Sequence, residues 1–146
     1  MDKLDRSILD SDISFVSLGH LSQEMIDFIA SKNQQLGDLL STNRDILFWK
    51  DRIKHTELHK KDFLSDNLFY TCLEDIPIII QEPDYISIHP KDNSISFIRD
   101  YSQHVSVAIR VSVDGKLSYR TMYPLMDAQL SHYLEKNRAW RYDKNI

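Results

Sequence analysis

Cysteine is nearly absent from this 146-residue chain, glycine occurs three times and proline four. The single cysteine, Cys72, excludes an internal disulfide and a multi-cysteine zinc site. It points to a reducing, cytoplasmic setting, and its expected place is that of a small buried hydrophobe. So few glycines leave no G-x-x-x-x-G-K-[ST], G-x-G-x-x-G or G-x-S-x-G, which removes phosphate-cradling loops and nucleophile elbows. Long apolar runs are missing as well. The longest, Ile76 to Ile80, is interrupted by Pro77 and far too short for a bilayer, and the opening MDKLDRSILDSD is polar where a signal peptide would be apolar. Secretion and membrane insertion are therefore not expected.

What is present is an ordinary folding composition, 42% hydrophobic and 27% charged, in a length that suits one compact unit. The formal net charge of −4 hides an asymmetry. Residues 1–90 carry 9 Lys and Arg against 16 Asp and Glu, whereas residues 91–146 carry 9 against 6. A surface for a polyanion therefore belongs in the C-terminal part.

With no repeat and no linker, a change of hydrophobic period near Pro83 is the main internal boundary. Ahead of it, Ser22 is placed to cap a helix running to about Leu40, and ISFVSL at 13–18 reads as a strand or an extended lead-in. A further helix is expected over Asn43 to Lys61, where Ile46, Leu47, Trp49, Ile53 and Leu58 recur at helical spacing. Ser65 caps another, restarted at Pro77. After Pro83, YISIH at 85–89, SISFI at 94–98, HVSVAIRVSV at 104–113 and LSYRTMY at 117–123 alternate as four strands. A last helix covers about Asp127 to Asn137. The expected fold is α+β, with N-terminal helices packed on a four-stranded antiparallel sheet and a short C-terminal helix. The expected organisation is a helical extension over 1–45 leading into a domain over 46–146.

The turn at Asp114-Gly115 decides where Arg120 points, because a slip of one residue inverts a strand. A two-residue loop would set Arg120 opposite Ile109 among valines, burying an unpaired guanidinium at a cost of several kcal/mol. A three-residue turn, Val113-Asp114-Gly115 with Gly115 left-handed, instead sets Arg110 opposite Ser118 and Arg120 opposite Ala108. In that register His104, Ser106, Arg110, Ser118 and Arg120 share one polar face. Two guanidiniums and an imidazole there suit phosphodiester chemistry, since arginine forks grip phosphate oxygens and histidine moves protons near neutrality. The plain alternative is a solvated face whose arginines pair with carboxylates.

A second constellation is KHTELHKKDF, in which His55 and His59 lie four apart on one helix face, flanked by Lys54, Lys60 and Lys61. It invites a metal reading, but Thr56 stands where a zincin needs its glutamate, and no third ligand follows at a characteristic spacing. Contact with phosphate, catalysis, or a solvated basic stripe remain open for it. No cofactor is called for. Trp140, between Arg138 and Arg141, is the aromatic best placed for an exposed stacking contact.

His55 on a helix, EDIPIIIQEPDYI at 74–86, VSVAIRVSVDG at 105–115 and YRTMYP at 119–124 together resemble the phage-associated branch of the barnase/EndoU/colicin/RelE-like nuclease superfamily, over about residues 46–136. The resemblance implies helices on a four-stranded antiparallel sheet and a metal-independent, often toxin-like endoribonuclease. It places His55 as the helix histidine and Arg120 with Thr121 as a late-strand pair, with Tyr123 nearby. RNA is then the substrate, and an antitoxin or immunity protein the partner that would cover the site. His59, Arg110, His104 and Lys54 join the candidate site from spacing and facing alone. Thr121 is in conflict, because regular alternation sends it to the core side, and a strand-end bulge or twist before Pro124 would reconcile the two. The competing expectations are a non-enzymatic interaction or inhibitor protein using its acidic N-terminal half, and an RNA-binding module without chemistry.

Overall fold

The computed structural model describes residues 3–5, 14–89 and 91–142. Ile13 of the ISFVSL segment, most of the opening acidic stretch and the last four residues of the tail lie outside them.

The period-two segments form strands close to where alternation puts them: β3 (Tyr85–His89), β4 (Ser94–Asp100), β5 (His104–Val111) and β6 (Leu117–Leu125). Their odd-numbered valines and isoleucines on β5 are buried against helices, as alternation requires. The sheet is nevertheless larger than the four antiparallel strands expected. Among the described residues it has seven strands in the order β1-β2-β6-β5-β4-β3-β7, where β1 is Phe15–Ser17, β2 is Ile46–Trp49 and β7 is Ala139–Arg141. It is also mixed, because β2 runs parallel to β6 while the other pairings are antiparallel.

The extra strands come from two misread stretches. Ile46, Trp49 and Ile53 fit a helical stripe, yet ILFW is a short β-favouring run in which Ile46 and Phe48 are buried and Trp49 is exposed. The expected helix over 43–61 is thus a strand, then α3 (Arg52–Glu57), then a 3-10 turn at Lys60–Asp62. The tail around Trp140 is β7, and Trp140 opposes Ile86 and is half-buried rather than free for stacking.

The expected helix from Ser22 is two helices, α1 (Gln23–Lys32) and α2 (Gln34–Leu40). Ser22 caps the first by accepting from the Met25 N–H, and Asn33 ends it and caps the second, its side-chain oxygen accepting from the Leu36 N–H. The pair packs closely, since a Cβ added at Gly37 would sit 2.4 Å from Ala30 Cβ and 2.7 Å from its Cα. Rotating a side chain cannot relieve contact with a Cα. Gly37→Ala is therefore expected to lower unfolding free energy by about 1–3 kcal/mol despite alanine's better helix propensity, as urea denaturation would measure.

Ser65 caps α4 (Asp66–Glu74), and Pro77 sits in the first turn of α5 (Ile76–Gln81), both as expected. These helices bury Phe69, Cys72, Ile76 and Ile79 on the valine face of the sheet, so Cys72 is the small core residue anticipated, and burial pushes its thiol pKa up to about 12. On the opposite face α6 (Asp127–Glu135) lays Leu130 against Ile98 and Leu125. Ser96 and Ser106 on this face are buried, so the face expected to be polar and open is closed over the middle of β4 and β5, while Arg110 stays exposed. Among the described residues, no helix is long and apolar enough to cross a membrane.

Candidate active site

The β5–β6 turn is the three-residue form. Gly115 has φ +86°, its N–H donates to Ser112 O at 2.9 Å, and Arg110 opposes Ser118 as expected. Beyond that pair the register shifts. Ile109 opposes Tyr119 but Ala108 opposes Thr121, so Arg120 is an extra residue without a partner on β5 and does not face Ala108. The bulge resolves the conflict over Thr121. Thr121 and Tyr123 leave the valine face and oppose Ala108 and Ser106, while Met122 opposes Val107 and is fully buried. The Thr121 hydroxyl oxygen is buried, with no hydrogen-bond partner among the described residues.

Helix α3 holds this bulge through two consecutive residues of β6. The Arg52 guanidinium donates from Nε (2.9 Å) and Nη2 to the Arg120 carbonyl, which the bulge has freed from the ladder. One turn later the Thr56 hydroxyl donates to Arg52 O at 2.9 Å. Its single proton is then used, so the Tyr119 hydroxyl donates to Thr56 across 2.6 Å. Tyr119 is buried, stacked on Phe48 with ring centroids 4.4 Å apart, and burial raises its pKa. Both anchors are buried or half-buried, and His55 lies between them in sequence on a fixed helix. Arg52 escaped notice in the sequence, and Thr56 was read only as the residue that breaks the zincin pattern. The signal was there, since Arg52, His55, Thr56 and His59 recur at the i, i+3, i+4 spacing of one helix side.

His55 and His59 have ring centroids 6.0 Å apart, and His59 lies 5.9 Å from the Tyr123 ring. His59 Nδ1 is 3.5 Å from Asp62 Oδ2. Partial burial lowers the His55 pKa, and the charges of Arg52, His59 and Arg120 lower it further. Arg120 is thus close enough to His55 to act on it electrostatically. Among the described residues no carboxylate pairs with either Arg120 or Arg110, and both side chains are exposed to solvent. Lys54 is exposed on the same helix.

The structure therefore brings together His55, His59, Arg120 and Tyr123, with Thr121 beside them on β6. It does not bring His104 and Arg110 to one point, because six residues of strand separate them by about 20 Å. Arg110 is exposed on the open side of the sheet, opposite Ser94 and Ser118. His104 lies at the other end of a cleft of about 820 Å³ that also reaches His59, Asp62 and Tyr123. Among the described residues no group of three His, Cys, Asp or Glu side chains converges to hold a metal ion.

His104 has no free ring nitrogen. Nδ1 lies 2.5 Å from Asp100 Oδ1, and Nε2 lies 2.5 Å from Asp127 Oδ1. Ionised carboxylates only accept, so both contacts are satisfied together when the ring is protonated, and they favour the imidazolium. Burial opposes that charge, but the hydrogen bonds to Asp100 and Asp127 outweigh it, and the folded pKa is raised. The raised value stabilises the fold fully below the ordinary histidine pKa of about 6.5, and this contribution disappears as pH rises through the folded value. Denaturant unfolding of wild type and His104→Gln across that range is expected to show a stability gap at low pH that closes as pH rises.

The sequence model of the family described as phage-Barnase-EndoU-ColicinE5/D-RelE like nuclease3 matches residues 24–132. The match begins in α1, ahead of the region where the sequence resemblance was read, and spans α3, the bulge and the cleft. No curated protein and no solved structure matches the chain. A match over most of its length shows that the chain belongs to this phage-related family of barnase-, EndoU-, colicin- and RelE-like nucleases.

Proposed function

We propose that this nuclease is a metal-independent endoribonuclease that uses the RNA's own 2′-hydroxyl as nucleophile. The observation that carries the reading is the pair of imidazoles 6.0 Å apart beside an arginine that no carboxylate neutralises among the described residues. A lowered pKa keeps His55 neutral at physiological pH, the state a general base needs. His55 takes the 2′-hydroxyl proton, the 2′-oxygen attacks phosphorus, and the bond from phosphorus to the 5′-oxygen breaks. His59, oriented by Asp62, returns a proton to the leaving 5′-oxygen, and a 2′,3′-cyclic phosphate remains. Arg120 stabilises the charge gathering on the phosphoryl oxygens, with its geometry fixed through its own carbonyl by Arg52. Tyr123 borders the phosphate, Thr121 supports the site from β6 behind it, Lys54 and Arg110 guide the strand by charge, and His104 shapes the far wall of the cleft.

Cleavage of cellular RNA by purified protein in EDTA tests the reading. Cleavage that is lost in both His55→Ala and Arg120→Ala supports it. Absence of cleavage, or equal cleavage in the variants, removes it, and a stable complex with a basic protein that persists in both variants would favour the interaction-protein reading. The toxin-like role we attach to this chemistry predicts that producing wild type, but not His55→Ala, in the cytoplasm of a host cell arrests growth.

A further inference from the structure

Phe15 on β1 and Trp49 on β2 are direct cross-strand partners, with ring centroids 4.8 Å apart. They are 43% and 40% exposed, and no other Phe, Tyr or Trp among the described residues is exposed. Their neighbour Phe48 points into the helix-covered core, so alternation turns Trp49 and Phe15 to the open face of the sheet. Phe15 lies outside the residues matched by the family, on a strand that the N-terminal segment adds to the sheet. The pair supports the β1–β2 contact as cross-strand aromatic partners do, yet it leaves a large part of both rings in water.

Their position relates them to the site. Leu47 opposes Ser118 in the parallel β2–β6 pair; Trp49 stands two residues beyond Leu47, and Arg120 two beyond Ser118. Trp49 is therefore level with the bulge that presents Arg120. Arg110, exposed and without a carboxylate among the described residues, lies on the same open face opposite Ser118. An aromatic surface flanked by unpaired guanidiniums is complementary to a nucleotide strand, whose bases stack while its phosphates meet the arginines.

We propose that Phe15 and Trp49 form a stacking platform for a base of single-stranded RNA on the open face beside Arg120, beyond the two nucleotides that share the scissile phosphate. This rests on the nuclease reading and adds to it where a longer substrate is gripped. The platform predicts little preference among bases, because every base offers a π-face. It also predicts that the pair matters for long substrates and not for a dinucleotide too short to reach it.

The test measures binding of a fluorescent single-stranded RNA to the full chain with His55→Ala present to block cleavage. Adding Trp49→Ala or Phe15→Ala is expected to weaken binding about tenfold or more, with Trp49→Phe restoring most of it. With His55 intact, Trp49→Ala should raise KM on the long RNA while leaving dinucleotide cleavage unchanged. Unaltered RNA affinity in Trp49→Ala and Phe15→Ala, both folded by circular dichroism, would overturn the platform and leave the nuclease reading standing. Absence of cleavage by wild type would remove the nuclease reading, with the binding arm still deciding the platform. Concentration-dependent dimerisation abolished by Trp49→Ala would assign the pair to a contact between copies and overturn the proposal.

Discussion

Replacing His55 by alanine is expected to lower kcat on RNA by about 10²–10⁴-fold, the range for removing a positioned general base, with KM little changed. The size of the effect follows from how firmly α3 is set. Arg52 grips the Arg120 carbonyl and Thr56 receives the Tyr119 hydroxyl, so His55 is presented by a helix pinned on either side of it in sequence rather than by a loop. The pH dependence carries the same information. A base whose pKa is lowered by partial burial and by the charges of Arg52, His59 and Arg120 stays competent to a lower pH than an ordinary histidine. The acidic limb of the kcat profile should therefore fall below about 6.5, and it should vanish in His55→Ala.

Replacing Arg120 by alanine is expected to cost about 10²–10³-fold in kcat, comparable to the loss of one donor that stabilises a developing oxyanion. It should also move the acidic limb upward. Arg120 is one of the charges that disfavour protonated His55, so its removal makes the imidazolium easier to form and raises the pKa. Arg120→Lys separates the two effects. A lysine keeps the charge and so keeps the limb in place, but it lacks the planar two-point fork and should recover only part of the rate. Because the backbone carbonyl held by Arg52 survives either substitution, the fold and the bulge should persist. Unchanged thermal unfolding would confirm that the losses are chemical.

The middle of the fold was readable because alternation over β3 to β6 is long and unbroken, and because Ser22, Ser65 and Pro77 are local signals that act within one helical turn. Reading failed where a run was too short for its period to show. ILFW could be strand or helix by spacing alone, and its place beside β6 in a parallel pair depends on a partner some 70 residues away. The three residues of β7 had the same difficulty, since pairing with β3 rather than any pattern of their own defines them.

The site was legible in part for related reasons. Burial cost correctly chose the three-residue turn at Gly115, and Arg110 opposite Ser118 came with it. The bulge at Arg120 was invisible to alternation, because an inserted residue leaves the composition of both faces plausible. Its cause lies in α3, where Arg52 satisfies the carbonyl that the bulge releases. His104 was placed on the right strand, but its two carboxylates come from the end of β4 and the start of α6, which no local pattern brings together.

The most direct measurement uses one RNA oligonucleotide with a single cleavage site and a matched copy carrying a 2′-deoxynucleotide on the 5′ side of that bond, both in EDTA. The account predicts that the all-ribose strand is cut to a 2′,3′-cyclic phosphate and a free 5′-hydroxyl, and that the single 2′-deoxy substitution abolishes cleavage. Equal cleavage of the two strands, or a 5′-phosphate product, would contradict it.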